Sequence, residues 1–257
     1  MLHLPDVTVV CIDNVAQDLA MMALRDTLRQ VTPAKVLFWT DEAGWRKLLS
    51  AASLSADPFR HERTVVLPFD EHGKEAADQP LWYEAPHQVT TSHFLTVQWD
   101  GWVVDANAWT SAFLDYDFVG APWWWHPPGQ QVGNGGFSLR SRRLGAFLAD
   151  NREAFPYRYP EDDAIGRLYR ARLEAEGFRF APPELAYRFS IEHPNPDPRV
   201  KRVPTFGFHD IRNWGWLLSD EEIDTRLTAA SAFVVKKTAL VQQMLELRDH
   251  HRALTAR

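Results

Sequence analysis

Cysteine is nearly absent. Cys11 is the single cysteine in 257 residues, which excludes a disulfide framework and a Cys-based zinc site. No apolar run approaches the roughly 20 residues that a helix needs to span a bilayer. The start, Met1-Leu-His-Leu-Pro5, has no charged segment followed by a long apolar stretch, so it does not read as a signal peptide. A cytoplasmic location is the expectation. Basic residues do not dominate either: 28 Lys and Arg face 34 Asp and Glu, a formal net charge of -6. A dedicated nucleic-acid binder needs a phosphate-neutralising surface, and this balance argues against one. Two phosphate fingerprints are missing as well. There is no G-x-G-x-x-G after the first apolar run and no G-x-x-x-x-G-K-[ST] anywhere. Nucleotide recognition therefore falls to side chains, with Asp13, Asn14 and Asp41 placed to hydrogen-bond a base or ribose.

What is present is an ordinary globular composition, 45% hydrophobic and 24% charged, long enough to bury a sizeable core. Its 11 Trp and 17 Pro gather around residues 99–128 and 181–216. Loops of that kind often line pockets for sugars or bases, and equally serve as rigid packing.

The first third alternates strand and helix patterns. Residues 7–12 (VTVVCI) form a β-branched run suited to a buried parallel strand, ending at Asp13-Asn14. Asp18 is placed to cap a helix whose apolar face carries Met21, Leu24, Leu28 and Val31, stopped by Pro33. Residues 35–39 read as a second strand closing on Asp41, 42–52 as a helix, and 63–67 as a third strand. This β-α-β-α-β order predicts a parallel, Rossmann-like sheet. Residues 70–93 read as a loop with a short helix near 79–87.

Four later stretches carry possible chemistry. The run 94–99 reads as a buried strand stopping on Asp100-Gly101. Ligands of open α/β sheets sit outside the carboxyl ends of strands, which puts Asp100 where an oxygen-seeking cation would be held; capping a turn is the plainer role. Gly133, Gly135 and Gly136 free the backbone for positive φ or close ligand approach, before a strand at 137–139 and a helix from Ser141. Arg140, Arg142 and Arg143 make the densest basic cluster, a solvated helix face or a phosphate contact. Glu161, Asp162 and Asp163 open a helix running to Gly177, where they suit the dipole and where a general base can be held rigidly. Residues 178–181 and 186–191 read as strands. His209, after an aromatic-glycine run, is of a type that often ligates metals and more often plays a structural part. The tail from Ser219 to Arg257 is helical, with a capping pattern at 219–222 and a stripe of Leu240, Val241, Met244, Leu245 and Leu247. Packing within the chain is the favoured role for that stripe; homodimer formation through the C-terminal helices is the alternative.

The order strand-Asp, Gly-Gly-strand, PEDD and late His resembles the metal-dependent GT-A glycosyltransferases, with fringe-type inverting enzymes as the nearest analogy. More specifically, QWDG, YDFVGAPW, VGNGGFSLRSRRL, PEDD and FGFH resemble an uncharacterised bacterial family of glycosyltransferase-like proteins, across residues 5–215. The resemblance implies a GT-A-like, Rossmann-type α/β fold: a mixed, mostly parallel sheet flanked by helices over residues 1–215, with a helical extension over 216–257. Asp100 then matches the second Asp of the D-x-D metal motif, and Gln98 stands in place of the first. His209 matches the C-terminal metal ligand, and Gly135 and Gly136 the glycines beside the sugar. Asp162 matches the catalytic base with Asp163 beside it, while Asp13, Asn14, Asp41 and Arg140 fall on the donor side. Trp123, Trp124 and Glu161 fall on the acceptor side, and Trp125 extends the indole platform.

The implied partners are Mn²⁺ or Mg²⁺, a nucleotide-sugar such as a UDP-sugar, and a carbohydrate hydroxyl acceptor in glycan or surface-polysaccharide synthesis. Gln98 leaves a rival open, a non-catalytic glycan- or partner-binding module of the same fold. A nucleotidyltransferase would want a basic, Gly-rich loop after the first strand, which Asp13-Asn14 does not supply. A glycosyltransferase acting on DNA bases is disfavoured by the acidic balance.

Overall fold

The computed structural model describes residues 1–44, 46, 64–68, 74–193 and 204–230, with 239, 241, 242, 245, 246 and 249 beyond them. A six-stranded sheet has the order β3-β2-β1-β4-β6-β5. Its strands are β1 (Leu2–Ile12), β2 (Val31–Thr40), β3 (Thr64–Pro68), β4 (His93–Thr96), β5 (Phe118–Val119) and β6 (Leu139–Ser141). β1, β2, β3 and β4 run parallel, whereas β6 lies antiparallel between β4 and β5. The fold is thus a mixed, mostly parallel sheet flanked by helices. Val7, Val9, Val10 and Cys11 are almost fully buried, as a strand covered on both faces requires. Burying each of those valines contributes roughly 1.5–3 kcal/mol.

Helix α1 (Gln17–Gln30) buries Met21 and Leu24, on the face the spacing predicts. Asp18 lies inside its first turn, and the turn ahead of it is closed by Asp13, which accepts the N–H groups of Val15 and Ala16 at 2.9 and 2.6 Å. Pro33 does not end the helix: Val31 already begins β2, with Pro33 within it. Residues 42–44 and 46 are helical, and the rest of the helix expected at 42–52 lies outside the described residues.

Four expectations beyond residue 70 change. β4 stops at Thr96, because the chain turns tightly and Gln98 pairs back to Gly101 through N–H···O bonds of 3.2 and 3.1 Å. Residues 74–83 are already helical (α2), followed by α3 (Ala85–Gln88). The strand expected at 178–181 is reduced to a single bridge from Phe180 to Phe118. The strand expected at 186–191 is mostly a helix, Pro183–Phe189: Pro182 and Pro183 preset its first turn, and only Ser190–Ile191 (β7) is extended. β7 pairs in parallel with β8 (Gly207–Phe208).

The capping box at Ser219–Glu222 forms and opens the helix Asp220–Ala229. Ile223 and Val241 are buried in the same apolar cluster as α1 and β1, and Leu245 packs on it. Leu240, Met244 and Leu247 lie outside the described residues. Arg226 pairs with Asp26 on α1 and stacks 4.4 Å over Trp102, which fastens this helix to the sheet side of the molecule. Among the described residues no helix is long and apolar enough to cross a membrane.

Candidate functional site

The sheet reverses direction of growth at β1: β2 lies on one side and β4 on the other. The crevice outside the carboxyl ends of those strands is where doubly wound sheets bind ligands. Asp13 follows β1, Asp41 follows β2, and the Gln98–Gly101 turn follows β4. All three aspartates, Asp13, Asp41 and Asp100, are buried, as is Asn14. Burial pushes the Asp13 carboxyl up to about 6 against its two backbone N–H donors, with the charges of Asp100 and Asp41 adding to the rise. Asp41 accepts from Gln17 Nε2 at 3.1 Å and from the Gly44 N–H at 2.8 Å. It is held as a fixed acceptor at the strand end.

A second parallel pairing delivers two more groups. Ile191 is the register partner of Phe208, so Glu192 and His209, the next residues of each strand, emerge side by side. His209 Nδ1 lies 3.2 Å from Glu192 Oε1, and its Nε2 lies 3.4 Å from Asp100 Oδ1 and 3.2 Å from Gln98 Oε1. Burial works against an imidazolium here, but Asp100 and Glu192 outweigh it and push His209 up to about 10. Burial likewise opposes ionisation of Glu192, yet the hydrogen bond and charge of His209 hold its carboxyl below the usual range. With no bound metal, the two carboxylates favour the protonated form of His209.

The glycine-rich segment closes on this cluster. Thr96 Oγ1 on β4 is bonded to the Gly135 carbonyl at 2.7 Å and lies 2.9 Å from Ser138 Oγ, tying the segment to the sheet. Positive φ occurs at Asn134 (52°) and not at Gly133, Gly135 or Gly136. Gly136 is needed for close approach: a Cβ there would collide with the His209 imidazole. Asn134 Nδ2 lies 2.9 Å from His209 Nδ1. The neighbours of these glycines are side chains of this chain.

The PEDD stretch places its three carboxylates differently. Glu161 is buried and ion-paired to buried Arg140, so both are spent on each other. Asp163 pairs outward with Arg167 at 2.6 Å. Asp162 accepts the Gly135 N–H at 2.9 Å through Oδ2 and the Asp163 N–H at 2.8 Å through Oδ1. Burial first, then the charge of Glu161, with Glu192 adding, raises Asp162 to about 6. Of the rest of the basic cluster, Arg142 is exposed and Arg143 pairs with Asp117 at 2.7 Å.

The tryptophans divide as well. Trp123 is buried and donates from Nε1 to Glu192 Oε2 at 3.0 Å. Trp124 and Trp125 are 41% and 43% exposed, and Trp125 meets His193 edge-on at 4.7 Å. The exposed rings continue from the indole bonded to Glu192, with Trp125 6.5 Å from Trp123 and 5.5 Å from Trp124.

Glu192 is the residue that sequence reasoning missed. Its partner His209 is 17 positions away, and only the β7–β8 register brings them together. An acidic residue directly after an apolar run is the one signal that pointed to it.

Among the described residues no group of three His, Cys, Asp or Glu side chains is disposed to hold a metal ion. Asp100 and His209 supply two such groups, with the Gln98 amide oxygen third. A carboxylate oxygen and an amide oxygen facing one imidazole nitrogen at 3.4 and 3.2 Å are donors of the type that Mn²⁺ or Mg²⁺ accepts.

No curated protein matches the chain in sequence. Among solved structures, the chain is similar to the mannosyltransferase PcManGT from Pyrobaculum calidifontis in complex with GDP-Man and Mn²⁺ (14% identity, TM-score 0.47). That match covers 71% of this chain and 56% of that one, so the chain spans little more than half its relative's length. It is also similar to 4-diphosphocytidyl-2C-methyl-D-erythritol synthase from Anaerococcus prevotii (7%, covering 65% and 83%, TM-score 0.45). A third is a glycosyltransferase involved in glycosylation of the major capsid of PBCV-1 (13%, covering 80% and 92%, TM-score 0.41). A family profile matches residues 75–209, the span that holds the β4 turn, the glycine-rich segment, PEDD, Glu192 and His209, and the chain belongs to that family, described as a protein of unknown function (DUF5672).

Proposed function

We propose that the chain is a glycosyltransferase that moves a sugar from a nucleotide-diphosphate donor to a hydroxyl of a carbohydrate acceptor with inversion, aided by a divalent cation. One observation carries the reading. Asp13, Asp100, Asp162, Glu192 and His209, from widely separated stretches, interact electrostatically at the switch point of a parallel sheet. Asp13, Asn14 and Asp41 offer acceptors for ribose hydroxyls or a base edge. Asp100, His209 and Gln98 would hold the cation, which when bound neutralises charge growing on the leaving diphosphate. Gly135 and Gly136 let the segment pack directly against Glu161, Arg140 and His209, while Arg140 acts at one remove by fixing Glu161.

Asp162 is the base. Its carboxylate takes the proton of the acceptor hydroxyl while that oxygen bonds to the anomeric carbon and the bond to the diphosphate oxygen breaks. The N–H groups of Gly135 and Asp163 orient it, and lone pairs remain on both oxygens. Trp124 and Trp125 offer apolar faces for the acceptor ring, with Trp123 and Glu161 supporting from within.

A second reading is favoured by the charge of His209. As an imidazolium between Asp100 and Glu192 it can itself face a diphosphate, so that donor binding needs no metal. Thermal unfolding with a panel of nucleoside diphosphates, with and without Mn²⁺, separates these readings. A ligand at about 100 times its dissociation constant adds roughly 2.7 kcal/mol. A Mn²⁺-dependent shift lost in Asp100→Ala supports the first reading. A shift indifferent to Mn²⁺ supports the second. No shift with any nucleotide would replace both with a binding module that has kept the fold.

A further inference from the structure

The loop that carries Trp123–Trp125 has a second face. Its returning limb is tied to the outgoing one by the Trp123 N–H, which donates to the Gln131 carbonyl at 2.6 Å, and by the Pro122–Val132 bridge. Behind that limb lies a cavity of about 330 Å³, walled by Gln131, Val132, Tyr116, Arg170, Phe180 and Pro183 among others. None of Asp13, Asp100, Asp162, Glu192 or His209 lines it.

Among the described residues that line it Arg170 is the only charged one, and it is 9% exposed. A guanidinium carries five N–H donors. Here Nε donates to Glu174 at 2.9 Å, the ion lies 4.3 Å over the Phe180 ring, and Nη1 is buried with no acceptor among the described residues. A buried donor of a charged group left unmet is costly, and an oxyanion is the partner a guanidinium takes most strongly. Phe180, Val132 and Pro183 give the cavity apolar walls, and Gln131 and Tyr116 add uncharged polar groups.

We propose that this cavity is a second binding site, taking a carboxylate or phosphate group carried on a small molecule with an apolar face, with Arg170 as its anchor. The inference does not depend on which reaction the candidate site performs. Occupancy braces the Gln131–Val132 limb and so reaches Trp123 through the backbone.

The test is calorimetric titration of the full chain with glucuronate and with inorganic phosphate, using glucose and matched sodium chloride as controls. Saturable binding at least tenfold tighter than glucose is expected for one or both anions. Glucuronate alone points to a carboxylate on a ring, and phosphate alone to a phosphate source. Arg170→Met should weaken it at least tenfold, and so should Gln131→Trp, which fills the cavity and leaves Arg170 in place. Should Arg170→Met fail to fold, Gln131→Trp decides. The proposal is overturned if neither anion saturates, if chloride does as well, or if binding survives the cavity-filling substitution.

Discussion

Trp123 and Glu192 are joined by a 3.0 Å hydrogen bond from indole Nε1 to Oε2, and the other oxygen of the same carboxylate faces His209. One side chain, 11% exposed, thus connects the tryptophan loop to His209. Removing it by Glu192→Ala strands both partners. Breaking a fully buried ion pair from one side costs on the order of 3–5 kcal/mol; this pair is 11–13% exposed, and urea denaturation should show a loss toward the lower end of that range. Glu192→Gln keeps an acceptor for Trp123 and should lose less. Equal losses in the two variants would mean that charge, and not the indole hydrogen bond, dominates.

Asp13 gives a stability test with a defined sign. Its folded pKa of about 6 lies above the ordinary 3.8, so the folded state holds the proton more tightly. The stabilising contribution is complete below about pH 4 and is lost as pH rises through about 6. At pH 7 the buried charge costs roughly 3 kcal/mol, from two pKa units at about 1.4 kcal/mol each. Asp13→Asn, whose amide oxygen still accepts from Val15 and Ala16, should gain about 1–3 kcal/mol at pH 7 and nothing at pH 4. A nucleotide-dependent thermal shift should disappear in the same variant.

For Asp162 the outcome concerns rate. A base raised to about 6 must ionise to act, so transfer should rise as pH passes through about 6 and level off above it. Asp162→Asn should lower turnover by about 100-fold or more and abolish that limb. Intact turnover in this variant removes Asp162 from the base role.

Gly136→Ala probes the close packing against His209, because the added methyl meets the imidazole ring. Overpacking of this kind costs about 1–3 kcal/mol. The variant should unfold at lower urea and lose any Mn²⁺-dependent nucleotide shift. A variant that keeps full nucleotide binding would show that His209 can move aside without consequence.

The pattern of residues 7–40 was enough for the parallel core, because a β-branched run and a 3.6-residue stripe each have a single way to bury their apolar faces. Boundaries were less legible where a neighbouring strand supplies hydrogen bonds that sequence does not show: Pro33 sits inside β2, and β4 ends at Thr96. Residues 186–191 read as a strand, and the two prolines ahead of them set a helix over Pro183–Phe189 instead.

The sequence by itself determined which chemical groups the molecule carries and which strand ends they follow: Asp13 after β1, Asp41 after β2, Asp100 after β4, the PEDD carboxylates at a helix start. Which of those groups meet was decided only by tertiary structure. Three adjacent carboxylates, Glu161, Asp162 and Asp163, acquire an ion pair to Arg140, a raised pKa and an outward ion pair to Arg167, because one helical turn points them in three directions. Glu192 joins His209 through strand register, which depends on hydrogen bonds between segments distant along the chain and leaves no trace in local residue order.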